Sequence, residues 1–413
     1  MTRGMTGILG RFVAAGLVAG ARQPRLDGVF HDGKLSGGML LFLAAVMCLI
    51  PLAPGHAMDT ASLRAMAGQM LLVGFRGTAV NNESPILRDI REHNLGGVIL
   101  FDRDVQLQSP ERNIQSPGQV QALTATLQAN AGTTLFVAVD QEGGRVRRFR
   151  EDRGFAPSPS AKAMGQGSPE QTRLEGERTG RLLAGLGVNL NFAPVADVDV
   201  NPQSPAIGAL ERSFSADPDL VALHAHAFSR GLMAQGVLPC LKHFPGHGSA
   251  TADSHLGLTD ISKTWTPTEL RPYELLIPLK ASPLIMTGHL FLRQFDEAHP
   301  CTLSKTVLTG LLRQRLGFDG VIVSDDMQMR AIAGHYGLDE AILLAVEAGV
   351  DILVFGNNLD YDPDIVPRAI DILVKAVEEG RLSVERIEAS HRRIQAVKQQ
   401  LRISLASGPQ QRP

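Results

Sequence analysis

The sequence predicts an α/β fold, a (β/α)8 barrel of the TIM type forming a single catalytic domain, and three observations predict it. Short apolar runs rich in Val, Ile and Leu recur eight times after residue 60. Stretches with helical spacing separate them, so strand and helix alternate along the chain. The runs are apolar enough to be buried on both faces, as parallel strands covered by helices are. A doubly wound open sheet is the competing architecture. The barrel makes the sharper demand, because it gathers function at the C-terminal ends of its strands.

The eight runs, in order, are QMLLVGF (69–75), GGVILF (96–101), TLFVAVD (134–140), VNLNFAPVADV (188–198), GVLPCLKHF (236–244), PLIMTGH (283–289), GVIVSDD (320–326) and VDILVFG (350–356). Between them, QVQALTATLQANA and ALHAHAFSRGLMAQG carry apolar residues three and four apart, and LDEAILLAVEAG ends on a glycine suited to a helix cap. Ionisable residues collect where the runs end. Asp140 closes the third and Asp197 the fourth, Lys242 and His243 the fifth, His289 the sixth, and Asp325 with Asp326 the seventh. A polar residue at one strand end signifies little, since the chain is leaving the core there. Five such ends of eight suggest a site. After the eighth run a charged helical segment, SVERIEASHRRIQAVKQQL, and a polar tail remain. The domain is therefore drawn over 58–400, with 401–413 as the tail.

Residues 1–57 are set apart. Arg3, Arg11, Arg22, Arg25 and Lys34 precede an uninterrupted apolar stretch, Met39 to Leu52, of 14 residues. A membrane-spanning helix needs about 20. A positive region followed by a short apolar one reads as an export signal, with Pro51 and Pro54 breaking any helix. The expected destination is periplasmic or extracellular, with the membrane touched only through this N-terminal segment. Hydrophobic residues make up 44% of the chain and charged ones 20%, enough for a large core. The formal net charge of −2 gives no electrostatic reason to expect nucleic acid as a partner. Cys48, Cys240 and Cys301 form neither a metal-type spacing nor a disulfide framework.

One stretch, KHFPGHGSATADSH (242–255), concentrates histidines among glycine and proline breaks. Three readings compete for it. In the first, His243, His247, Asp253 and His255 ligate a metal, but Pro245 and Gly246 prevent the one-turn helical spacing of paired histidine ligands. In the second, the histidines belong to a solvated loop. In the third reading Asp253 and His255 form a dyad, the carboxylate steadying the ring and raising its basicity, so that His255 moves protons. Asp325, following directly on the seventh run, supplies a carboxylate at the barrel mouth, whereas Asp326 is placed to cap the chain that follows. A carboxylate opposite a general acid is the pairing of retaining glycosidases, here with histidine in place of the second carboxylate.

These residues resemble a known family. KHFPGHGSATADSH, together with DQEGGRVRRF (140–149), ERSFSADP (211–218) and GFDGVIVSDDM (317–327), is similar to the β-N-acetylhexosaminidase branch of the family-3 glycoside hydrolases. The resemblance covers nearly all the chain after residue 60. It implies Asp325 as nucleophile, His255 with Asp253 as acid/base, and Asp140, Arg148, Arg212, Lys242 and His243 as sugar-binding residues. It also implies hydrolysis of N-acetylglucosamine-containing cell-wall fragments by a single-domain monomer needing no cofactor and no metal. A family-3 β-glucosidase, a metal-dependent hydrolase and a silent wall-binding protein are the alternatives.

Overall fold

The computed structural model describes residues 59–252, 257 and 259–406, the last five without their side chains. The N-terminal segment 1–57, Asp253 and His255, and the end of the tail lie outside the described residues. Eight parallel strands close a barrel: β1 (Leu71–Gly74), β2 (Gly97–Ile99), β3 (Phe136–Val139), β4 (Leu190–Asn191), β5 (Leu238–Phe244), β7 (Leu284–Thr287), β9 (Val321–Asp326) and β10 (Ile352–Phe355). Each falls within one of the eight apolar runs, and β1 closes the circle by pairing with both β2 and β10. The remaining two strands, β6 (Thr259–Asp260) and β8 (Leu290–Phe291), pair in parallel outside the barrel. They were not legible in the sequence, since two residues are too few to show a period.

The helices begin where the sequence marks them. Serine or aspartate followed by proline opens α1 (Pro85–Glu92), α2 (Pro117–Ala129), α3 (Pro169–Gly185) and α4 (Pro218–Ala234). Proline suits the first helical position because its missing N–H would be unpaired there anyway. Ser116, Ser168 and Asp217 also accept backbone N–H groups of their first turns. Helix α4 buries Val221, Ala225, Phe228 and Leu232, one stripe at helical spacing, against the barrel and α3. That contact is close: a Cβ on Gly231 would stand 2.3 Å from the Arg173 carbonyl oxygen. The final helix, Val384–Ala406, runs past residue 400. No described helix is long and apolar enough to cross a membrane.

The two barrel ends use charge differently. At the N-terminal end Asp351, fully buried, receives Arg313, Arg386 and Arg393, and its Oδ2 also accepts the Ile322 N–H. Arg313 and Arg386 bond backbone carbonyls besides, so the cluster fastens the floor of the barrel. The C-terminal end holds a cavity.

Candidate active site

Alternation in a strand sends residues two apart to the same side. Asp140 and Glu142, just beyond β3, therefore both face the barrel mouth, and Lys242 near the end of β5 reaches them. Its Nζ donates to Asp140 Oδ1 at 2.8 Å and lies 2.7 Å from Glu142 Oε1. Arg148 donates to the other Asp140 oxygen at 3.3 Å. Arg212 grips Glu142 with two parallel bonds, Nε to Oε2 at 2.8 Å and Nη2 to Oε1 at 2.7 Å. Such fork-to-fork pairing fixes direction as well as distance. Glu211, at φ 58°, turns the backbone so that Arg212 points inward.

Behind this network lies a second one. Asp197, fully buried, accepts the backbone N–H groups of His243 and His247 on Oδ1, at 3.1 and 2.8 Å. Its Oδ2 accepts a hydrogen bond from His243 Nδ1 at 2.7 Å. That leaves His243 Nε2 as an acceptor, 3.3 Å from Arg212 Nη2. His243 thus braces Arg212, and a ring nitrogen facing a guanidinium is poorly placed for a metal ion. Burial pushes the His247 imidazole down to about 4.

Burial alone would raise the two carboxyls at the mouth, but their cations outweigh it. Arg212 and Lys242 hold Glu142 at about 2, and Lys242 and Arg148 hold Asp140 below the usual carboxylate range. Conversely Asp140 and Glu142 overcome burial to hold the Lys242 ammonium above its ordinary value. Asp140, Glu142, Lys242 and Arg212 are therefore charged at neutral pH.

These side chains line a cavity of about 210 Å³ with Phe101, Phe192 and Met286, and Asp325 and Asp326 stand on its β9 side. The two aspartates differ. Asp326 Oδ1 is committed to the N–H groups of Gln328 and Gly356, at 3.0 and 2.9 Å. Asp325 accepts its neighbour's N–H on Oδ1 at 2.8 Å. The structure therefore brings Asp140, Arg148, Arg212, Lys242, His243 and Asp325 to one cavity. Asp253 and His255 lie outside the described residues. Glu142 escaped the sequence reading, although its position two after Asp140 was a usable signal. Asp197 was noticed as a strand end without a role. Among the described residues no cluster of histidine, cysteine and carboxylate side chains could hold a metal.

Residues 62–397 match the glycosyl hydrolase family 3 N-terminal domain. Beta-hexosaminidase A of Pseudoalteromonas piscicida is 32% identical over 83% of the chain and 62% of its own length. Beta-hexosaminidase LpqI of Mycobacterium tuberculosis is 33% identical over 82% of the chain and 83% of its own. A family-3 β-N-acetylglucosaminidase structure from a Paenibacillus species superimposes with a TM-score of 0.75 at 35% identity, covering 83% of this chain and 63% of that one. The chain thus spans less than two thirds of the Pseudoalteromonas and Paenibacillus proteins. A β-N-acetylhexosaminidase from Beutenbergia cavernae gives 0.73 at 29% identity, covering 82% and 98%. Barrel, cavity and these likenesses agree: the chain belongs to glycosyl hydrolase family 3, in its β-N-acetylhexosaminidase branch.

Proposed function

We propose that the protein is a retaining exo-β-N-acetylglucosaminidase acting on peptidoglycan fragments after export by its N-terminal segment. The observation that carries this reading is the cavity. At about 210 Å³ it falls below the roughly 300–1,000 Å³ of sites for larger ligands, a size suited to one terminal sugar ring. Its walls offer paired carboxylates and cations, which accept from and donate to hydroxyls in fixed directions. Phe101, Phe192 and Met286 supply apolar surface for a ring face or an acetamido methyl.

Asp325 attacks the anomeric carbon from one side while the glycosidic C–O bond breaks on the other. His255, protonated and held by Asp253, gives its proton to the departing oxygen. In the second half His255 takes a proton from water, whose oxygen replaces Asp325 at the same carbon, and the carboxylate is restored. Two inversions give retention. The two backbone N–H groups held by Asp326 Oδ1 favour Asp325 over Asp326 in this role.

The test compares the 4-nitrophenyl β-glycosides of N-acetylglucosamine and glucose, each with and without EDTA. Release from the N-acetylglucosaminide alone, indifferent to EDTA, is expected. Preference for the glucoside would point to a β-glucosidase, and loss on chelation to a metal-dependent hydrolase.

A further inference from the structure

The chain leaves β5 through Pro245-Gly246-His247-Gly248-Ser249-Ala250, every residue buried. It returns through β6 and a short 3-10 turn, Pro267–Leu270. The returning segment fastens the departing one twice, each time across twenty residues. Trp265 Nε1 donates to the Pro245 carbonyl at 3.1 Å, and Glu269 Oε2 accepts the Ser249 N–H at 3.1 Å. The close packing admits only glycine at positions 246 and 248 of the departing stretch. A Cβ on Gly246, whose φ is 122°, would stand 2.6 Å from Glu269 Cβ, and one on Gly248 would stand 1.7 Å from the Val198 oxygen. The return is itself held from outside: β6 pairs with β8, and Arg293 Nε bonds Asp260 Oδ2 at 2.9 Å.

Glu269 is a costly choice for a packing residue. It is fully buried, no described residue bonds its Oε1, and burial pushes its carboxyl up to about 7. A buried acid with no cation beside it destabilises a fold, so packing alone would favour an apolar side chain. What the acid supplies is an acceptor at the point where the histidine segment departs.

We infer that Glu269, with Trp265, is a positioning residue for proton transfer, tying the return segment to residues 245–249 and so fixing the ends of the stretch that carries Asp253 and His255. The inference rests on the acid/base role given to His255 above. A glutamine keeps the accepting oxygen, whereas alanine leaves the Ser249 N–H buried without a partner.

The experiment measures wild type, Glu269→Ala, Glu269→Gln and Trp265→Phe on two substrates. The 2,4-dinitrophenyl N-acetyl-β-glucosaminide has a leaving group that departs unprotonated, while chitobiose must receive a proton. General acid catalysis contributes about 10²–10⁴-fold, so partial misplacement should cost Glu269→Ala at least about 10-fold in kcat/KM on chitobiose. On the dinitrophenyl glycoside the loss should stay under about 3-fold, with Glu269→Gln near wild type on both. Equal losses on both substrates, or none on either, would overturn the assignment. Trp265→Phe should show the same split, which keeps the test alive should Glu269→Ala not fold. Amide hydrogen exchange over 245–258 separates the inference from the function it rests on. Faster exchange there in Glu269→Ala, with wild type inactive on both substrates, would sink the hexosaminidase reading but leave the tie intact. Unchanged exchange would refute the tie whatever the activity.

Discussion

Glu142→Gln isolates what the buried ion network contributes. The substitution keeps shape and one accepting oxygen but removes the charge shared by Arg212 and Lys242. In the folded protein Glu142 is held at about 2, against an ordinary 4.5. At about 1.36 kcal/mol per unit, this difference corresponds to about 3 kcal/mol, close to the roughly 3–5 kcal/mol for breaking a buried pair. Since the folded-state value is the lower one, the contribution is fully present above about pH 4.5 and is lost as pH falls toward 2. With an unfolding entropy of about 0.7 kcal/mol/K for a chain of this size, the melting temperature should drop by about 4 °C at pH 7. The gap between variant and wild type should narrow below pH 4.5. Activity should fall too, because Arg212 loses the fork that aims it. Differential scanning calorimetry between about pH 2.5 and 8, with kcat/KM on the 4-nitrophenyl substrate, reads both. An unchanged melting temperature at pH 7, or a gap that widens on acidification, would refute the reasoning.

Other outcomes follow from the same geometry. Asp325→Ala should reduce turnover by at least about 10³-fold while leaving the melting temperature within a few degrees, measured by single-turnover kinetics and calorimetry. Asp197→Asn should lower kcat/KM about 10-fold or more, mainly through KM, because His243 would lose the acceptor that orients it against Arg212; an unchanged KM would count against that bracing role. Asp89, buried in α1 with Oδ1 bonded to no described residue, is pushed up to about 7 by burial. Its folded-state value exceeds the unfolded one, so stability is lost as pH rises from about 4 to 7. Asp89→Asn should therefore stabilise at pH 8, by up to about 4 kcal/mol, and have little effect at pH 4, as denaturant titrations at the two values would show.

The barrel was legible because its signals are local. Eight apolar runs needed only their own composition, and Ser-Pro or Asp-Pro pairs mark helix starts at Pro85, Pro117, Pro169 and Pro218. The site was legible in part. Asp140, Lys242, His243 and Asp325 stand at strand ends, where topology alone implies convergence. Glu142 and Arg212 are 70 residues apart and declare themselves only through each other. The same holds for Glu269 and Ser249, whose contact depends on a return path that a two-residue strand fixes. Periodicity reports which face a residue takes, not which distant side chain will meet it.

The charges at the mouth are coupled, which explains why the network is so elaborate. Sugar hydroxyls are gripped well by carboxylates, yet a carboxylate taken out of water needs a cation. Asp140 draws Lys242 and Arg148, and Glu142 draws Arg212 and the same lysine. Three cations then face two carboxylates. The surplus positive charge faces Asp325 and Asp326, which line the same cavity. Removing Glu142 raises the positive surplus of the remaining groups from one charge to two, and removing Lys242 leaves two cations against Asp140 and Glu142. The second change should disturb Asp325 more than the first, because it alone abolishes the positive surplus that faces that carboxylate.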